Sequence, residues 1–322
     1  MCPITVSKNP RMTRYLVEVE RAFSKYPLTI IDVGGRGGVN SEWSVFGSQA
    51  SIFCFEPDEA ECIRLNADGP ENVTYIPTAL GEKTGPETIY EARLKYSSGL
   101  YETRMDYFKR FVNWRNGEIV GSQVIHVKSL QDAMRDHAIP PFDFIKLDAE
   151  GAELDILKGG VAAISDGRAL GVLSEFRLHR EINGSPPFHQ LDGFLQEQGF
   201  RLYDMTVNHH GRVALPYPQQ EDYRLPSGER FFAYTRHGQL QDGDALYFRD
   251  LIGQLNLDPL KVLKLAALME IYSLGDCAAE LIIDNRVSIG SLVDPGRLLD
   301  LLVRGMTGIE TNYEEYIRSY WA

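Results

Sequence analysis

Four short apolar runs, PLTIIDV, ASIFCFEP, FDFIKLD and ALGVLSEF, each carry an acid at or beside their C-terminal end: Asp32, Glu56, Asp148 and Glu175. Runs so short and so continuously apolar read as strands buried on both faces. Between them the period changes. Apolar residues at 12, 15, 16, 19, 22 and 23 share one helix face, Glu59 to Ala67 and about Phe188 to Gly199 read as helices, and AELDILKGG reads as a short helix stopped by its glycines. NVTYIPTAL, FRLYDM and RFFAYTR supply further strands, making seven, the last two close enough in sequence to pair antiparallel. Strands alternating with helices give an α/β chain: a doubly wound, mostly parallel sheet with a late antiparallel hairpin. In such a sheet ligands bind outside the strand ends, where the four acids fall.

The organisation follows the same pattern. An N-terminal helical segment, 1–27, precedes a main domain, 28–238, in which Tyr101 to Gly121 fits no period and reads as an insertion at about 97–121. After Gln239 the composition turns helical. Asp258-Pro259 and Asp294-Pro295 each pair an N-cap acid with a first-turn proline, so 239–322 reads as a helical appendix.

Several classes of function drop out on composition. A net charge of -12 without any basic, aromatic-rich run excludes nucleic acid as a partner. The four cysteines form no CxxC pair, which fits a reducing compartment, and MCPITVSKNP has no secretory pattern, so a cytoplasmic location is expected. Leu260 to Tyr272 carries Lys261, Lys264 and Glu270, too charged and too short to span a membrane.

The loop IIDVGGRGGVN, Ile30 to Asn40, decides the ligand class. A dinucleotide fingerprint starting from Gly35 and Gly37 needs a third glycine where Asn40 stands, and no P-loop Gly-Lys-Ser/Thr is present. Asp32 ahead of the glycines repels phosphate but suits a cationic or hydroxyl-bearing ligand. S-adenosylmethionine, with an ammonium, a sulfonium and two ribose hydroxyls, fits that description. Glycines there let the backbone approach a ligand without Cβ atoms, and a helix is expected from the turn towards Gly47. Glu56 can accept from both ribose hydroxyls, a device shared with nicotinamide enzymes that does not discriminate by itself; the missing third glycine at Asn40 leaves a dehydrogenase the weakest competing reading.

With Asp32-Val-Gly-Gly, then CFEPD, then FIKLDAEGAELDILKGG, the chain resembles the FkbM-type methyltransferases over about residues 28 to 205. The resemblance implies a Rossmann-like class I methyltransferase domain and methyl transfer from S-adenosylmethionine to a hydroxyl. It implies a donor site of Asp32, Gly34, Gly35, Arg36, Glu56, Pro57, Ala79, Leu80, Ser98 and Asp148, with Glu150, Gly151 and Glu153 completing the third motif. Arg36 departs from the family's usual Asn; it either grips the methionine carboxylate or reaches solvent. Ser98 enters through SSGL, similar to a Ser-Ser-Leu piece of the family.

An alcohol acceptor needs its proton removed, and a positioned base contributes roughly 10²–10⁴-fold. Asp148 is expected nearest the methyl, His179 as the base, and Glu175 as its orienting partner or substitute. Lys146 is given no catalytic role; it reads as a partner of Glu175 or a stem along the sheet. No compact histidine spacing exists among His126, His189, His209 and His210, so no obligatory metal is expected, with Asp148 and Glu175 the one place for a divalent ion. The expected acceptor is a small molecule or glycan, a sugar hydroxyl or secondary metabolite. Methylation of nitrogen or a carboxylate, and a catalytically silent binding or scaffold protein, remain the alternatives. The appendix is expected to form a homodimer contact.

Overall fold

The computed structural model describes residues 4–165, 167–216, 228, 235, 237–254 and 257–321. In chain order the elements begin with α1 (Arg11–Glu18), β1 (Leu28–Val33), a 3₁₀ helix (Ser41–Gln49), β2 (Ala50–Phe55), α2 (Glu59–Asp68), β3 (Val73–Ile76), β4 (Ala79–Gly81) and β5 (Gly85–Ala92). Then come α3 (Met105–Phe108), β6 (Ile119–Ser129), α4 (Leu130–Asp136), β7 (Phe144–Leu147), α5 (Glu153–Gly159), α6 (Val161–Ser165) and β8 (Gly171–Arg177). The last part holds α7 (Phe188–Glu197), β9 (Phe200–Met205), β10 (Asn208–His210), β11 (Gln239–Arg249), α8 (Pro259–Ile271), α9 (Gly275–Asp284), α10 (Arg286–Ile289), α11 (Pro295–Thr307) and α12 (Tyr313–Trp321).

The main sheet runs β10-β11-β8-β7-β1-β2-β3, with β9 also paired to β11, which makes eight strands among the described residues where seven were expected. β7 and β8 are parallel, Phe144 facing Gly171 and Leu147 facing Ser174, while β11 is antiparallel to β8, β9 and β10. The expected antiparallel pairing at the end of the sheet therefore exists, but the partner of FRLYDM is Gln239–Arg249. RFFAYTR, apart from Thr235, lies outside the described residues.

Gln239–Arg249 corrects the sequence reading, which places it in a helical appendix. Its alternation was masked by polar residues that are nonetheless buried: Asp242 pairs with His210 at 3.1 Å and accepts from Asn208 Nδ2 at 2.7 Å. A buried acid so partnered no longer argues against a central strand. A second correction falls at NVTYIPTAL, which makes two strands. Pro77 has no N–H for a ladder, and past it the chain enters a separate sheet, β4-β6-β5, where β4 runs parallel to β6.

The chain divides into two compact units. One is built mainly from Ile31–Val39 and Phe53–Arg249, the other from Thr5–Ile30, Asn40–Ile52 and Asp250–Ala322. In the first, Ile31, Val33, Phe55, Ile145, Leu147, Val172 and Phe176 from the sheet bury against Leu154, Leu157 and Leu195 from α5 and α7. The unassigned insertion is ordered by β-bridges Thr103–Ile182 and Phe111–Arg212, and by hydrogen bonds from Arg104 N to Glu181 O (2.7 Å) and Asn183 N to Glu102 O (2.8 Å).

In the second unit the N-terminal helix and the C-terminal helices share one core, where the sequence reading separates them. Asp258 and Asp294 cap α8 and α11 at Leu260 N (3.0 Å) and Gly296 N (2.9 Å), as their Asp-Pro pairs predict. Helix α8 is buried on every side from Val262 to Ile271. Its Glu270 accepts from Met12 N (3.1 Å), Thr13 N (2.7 Å) and Thr13 Oγ1 (2.7 Å), satisfying donors in the first turn of α1. Among the described residues no helix is long and apolar enough to cross a membrane. Glu270→Leu leaves the buried Met12 and Thr13 N–H groups unpaired and lowers stability by about 3 kcal/mol, read by chemical denaturation with tryptophan fluorescence.

Candidate active site

The ends of four strands are tied together by main-chain hydrogen bonds. Gly34 N donates to Phe55 O (3.0 Å), Glu56 N to Ile76 O (3.2 Å) and Asp148 N to Val33 O (3.1 Å). These contacts gather Asp32, Glu56 and Asp148 where β1 lies between β7 and β2, the switch point of the sheet. The glycines serve this contact before any ligand. Gly34 has φ +84°, and a Cβ on it would stand 1.9 Å from Asp148 O; a Cβ on Gly35 would stand 1.7 Å from Cys54 Sγ. The α-helix expected from the turn towards Gly47 is instead a 3₁₀ helix starting only at Ser41 and broken at Gly47 (φ 50°, ψ -133°).

Beneath the turn Asp32 is buried, and its cation comes from the protein: Lys146 Nζ lies 3.3 Å from Asp32 Oδ1 and 3.4 Å from Asp148 Oδ2. Burial opposes the charge on Lys146, but Asp32 and Asp148 outweigh it and hold the ammonium firmly protonated. Lys146 is thus a partner of Asp32 and Asp148, not of Glu175. The Asp148 side chain remains 44% exposed, which leaves its carboxylate free to meet a ligand.

Arg36 neither reaches solvent alone nor stands free for a carboxylate. Its Nη2 lies 2.8 Å from Asp58 Oδ2 and 3.3 Å from Glu56 Oε1, while Asp58 also caps α2 at Glu61 N. Burial pushes the Glu56 carboxyl above its usual range, and the Asp58 N–H (3.0 Å) and Arg36 pull it part of the way back. Pro57 beside it is exposed. Ala79 and Leu80 are buried in β4, so only their backbone can meet a ligand, and Ser98 Oγ accepts from Ala92 N at 3.0 Å.

The turn Asp148 to Glu153 explains the third motif. Glu153 is buried and accepts from Ala149 N (2.9 Å) and Gly151 N (3.1 Å), Gly151 sits at φ 103°, and Glu150 is held at φ 53°, a conformation that costs about 1 kcal/mol or more in a non-glycine residue. This bend turns Glu150 towards Arg177. The guanidinium Nη2 binds Glu150 Oε2 and lies 3.4 Å from Glu175 Oε2, and Nη1 is 3.9 Å from Glu181 Oε1. Burial raises the Glu150 carboxyl to about 8 and Glu175 well above its usual range, although Arg177 opposes both; each also repels the other, and Asp148 repels both.

Glu150, Glu175, Arg177 and Glu181 line a cleft of about 660 Å³, open mouth included, with His210 and Asp242 and, from the insertion, Tyr101, Thr103, Asn113 and Asn116. His179 is not in this wall. Its Nε2 lies 2.8 Å from Leu240 O and 2.9 Å from Gln239 Nε2, so Glu175 orients Arg177 and not His179. Arg177 and Glu181 went unnoticed in the sequence. Arg177 could have been found, because two residues on from Glu175 puts both on one face of the strand. Carboxylate oxygens of Asp148, Glu150 and Glu175 also lie within 4.8 Å of one another, a hard-oxygen set that could hold a divalent ion.

A mostly parallel sheet with antiparallel β11 between β8 and β9, and a carboxylate-lined site at the switch point, define a class I methyltransferase fold. Residues 32–202 match the Methyltransferase FkbM domain, so the chain belongs to that family and is an S-adenosylmethionine-dependent methyltransferase. Among solved structures it is similar to precorrin-6y C5,15-methyltransferase from Geobacter metallireducens (11% identity, 72% of this chain and 88% of that one, TM-score 0.33). It is also similar to magnesium protoporphyrin IX methyltransferase from Synechocystis with bound S-adenosylmethionine (10%, 75% and 79%, 0.31). A third is 1,6-didemethyltoxoflavin-N1-methyltransferase from Burkholderia thailandensis, with bound S-adenosylhomocysteine (10%, 74% and 79%, 0.32). No curated protein matches in sequence.

Lys146→Met leaves Asp32 buried without its cation and costs about 3–5 kcal/mol, while Asp32→Asn in the same chain recovers much of that loss. Urea denaturation of the single and double variants measures both.

Proposed function

We propose that this methyltransferase is a cytoplasmic O-methyltransferase acting on a hydroxyl of a sugar, glycan or secondary metabolite. The observation that carries the reading is the cleft beside Asp148, whose walls are hydrogen-bonding side chains and whose acids Glu150 and Glu175 are raised above the usual carboxyl range by burial. The donor supplies an electrophilic methyl when bound. Glu56 takes the ribose hydroxyls, the turn at Gly34, Gly35 and Arg36 supplies one wall, and Asp32 with Lys146 fixes the floor on which Asp148 stands. Pro57, Ala79, Leu80 and Ser98 complete the donor seat. Asp148 and Arg177 orient the acceptor, which lets alignment supply much of the rate.

The proton of the acceptor hydroxyl goes to a Glu175 carboxylate oxygen. This role passes from His179, whose Nε2 is engaged by Leu240 O. A carboxyl raised by burial and by a like charge is a stronger base than an ordinary one once ionised. The base must be deprotonated, so turnover rises with pH along an acid limb above the usual carboxyl range. Removing the neighbouring charge weakens the repulsion and moves that limb to lower pH.

Three variants read this out with the donor affinity as control. Glu175→Gln lowers kcat by roughly 10²–10⁴-fold, His179→Ala leaves turnover near that of the wild type, and Glu150→Gln shifts the acid limb of the kcat profile downwards. Glu56→Ala weakens donor binding by about 10–100-fold in calorimetry. Turnover persists in EDTA; a loss that Mg²⁺ restores would reassign Asp148, Glu150 and Glu175 to a cation. An isotope-labelled methyl donor in extracts of the source organism identifies the product, and a label on nitrogen or a carboxylate would refute the hydroxyl reading. The homodimer contact is assigned to α12, which leaves Tyr320 and Trp321 exposed, and a monomer mass in light scattering removes it.

A further inference from the structure

The cleft wall holds more acceptor atoms than the protein satisfies. Glu181 is 1% exposed and both of its carboxylate oxygens lack a hydrogen bond; Asn113, 6% exposed, has an Oδ1 in the same condition. Neither is misplaced by a loose backbone. Glu181 O accepts from Arg104 N at 2.7 Å, the adjacent Ile182 bridges to Thr103, and Asn113 O accepts from Asn116 N at 2.9 Å. Buried polar atoms left unpaired cost about 1–3 kcal/mol each, so two side chains in this state at one cleft point to groups that a ligand supplies.

Both side chains present acceptors, so the missing groups are donors. Arg177 Nε, also without a hydrogen bond in this wall, leaves room for one ligand acceptor beside those donors. The charges narrow the class further. Arg177 already serves Glu150 and Glu175 through Nη2 and stands 3.9 Å from Glu181, while Asp242 has His210 and Asn208. Four acids therefore face one guanidinium and one imidazole in the lining. Burial also raises the Glu181 carboxyl to about 7 against the pull of Arg177, as expected of a carboxylate short of a cation.

We infer that this cleft is an acceptor subsite for an amine-bearing polyol, with the ammonium against Glu181 and a neighbouring hydroxyl or ammonium hydrogen on Asn113 Oδ1. The inference rests on the methyltransferase reading of the site and adds the chemical class of the acceptor: an amino sugar or amino cyclitol in preference to a neutral sugar. Glu181 and Asn113 are binding and specificity residues, apart from the proton transfer assigned to Glu175.

Calorimetry on the full chain saturated with S-adenosylhomocysteine tests it with D-glucosamine, D-glucose and N-acetyl-D-glucosamine as probes. Glucosamine binds about ten-fold or more tightly than the two neutral sugars. Glu181→Gln, an isosteric change, erases that preference while the affinity for S-adenosylhomocysteine stays at the wild-type value. Asn113→Ala weakens glucosamine binding and keeps its rank order. Equal binding of the three sugars, or a preference that survives Glu181→Gln, overturns the amine subsite and leaves the methyltransferase reading standing. Failure of S-adenosylhomocysteine itself to bind overturns that reading and the subsite with it.

Discussion

The site depends on how closely β1 and β7 approach at their C-terminal ends. Asp148 N bonds to Val33 O, and Gly34 passes so near Asp148 O that a single methyl group would not fit. Bringing these strand ends together also brings two acids together, and without Lys146 between them their repulsion would push them apart. The ammonium on β7 is therefore part of the reason the turn has its shape. Asp32 pays for its burial with that pair, and Asp148, held by the same cation, is left with its outer face towards solvent.

Around this floor the carboxylates divide by environment. Glu56 shares Arg36 with Asp58 at the end of β2, a half-buried cluster of two acids and one cation. On the other side Glu150, Glu175 and Glu181 crowd one guanidinium, and burial there favours the protonated acids. One side of Asp148 is suited to steady hydrogen bonding and the other to exchanging protons. That asymmetry follows from the number of acids each arginine serves, two at Arg36 and three at Arg177.

The sheet and its acids were legible because buried parallel strands leave unbroken apolar runs, and Asp32, Glu56, Asp148 and Glu175 interrupt those runs near their ends. The readings that failed did so for identifiable reasons. β11 carries buried polar residues whose partners, Asn208 and His210, lie far away in sequence. The insertion has no period because it is held by isolated bridges and single hydrogen bonds to β8's exit, not by a regular ladder. Lys146 was visible but could not be assigned, since its alternation with apolar neighbours says which face it occupies and not which acid stands opposite. His179 drew notice by residue type alone; the geometry gives its Nε2 to a carbonyl oxygen of the neighbouring strand.

The bridge between Thr103 and Ile182 and the bond from Arg104 N to Glu181 O join the insertion to the exit of β8 through main-chain atoms. Such a joint is indifferent to side-chain identity. Side chains in 101–117 that make no such contact, unlike Tyr101, Arg104 and the buried Phe111, can therefore change without loosening the seam or the floor formed by Asp32, Lys146 and Asp148. The fold keeps its methyl-donor half as a fixed chassis and carries its acceptor preference on a replaceable facing.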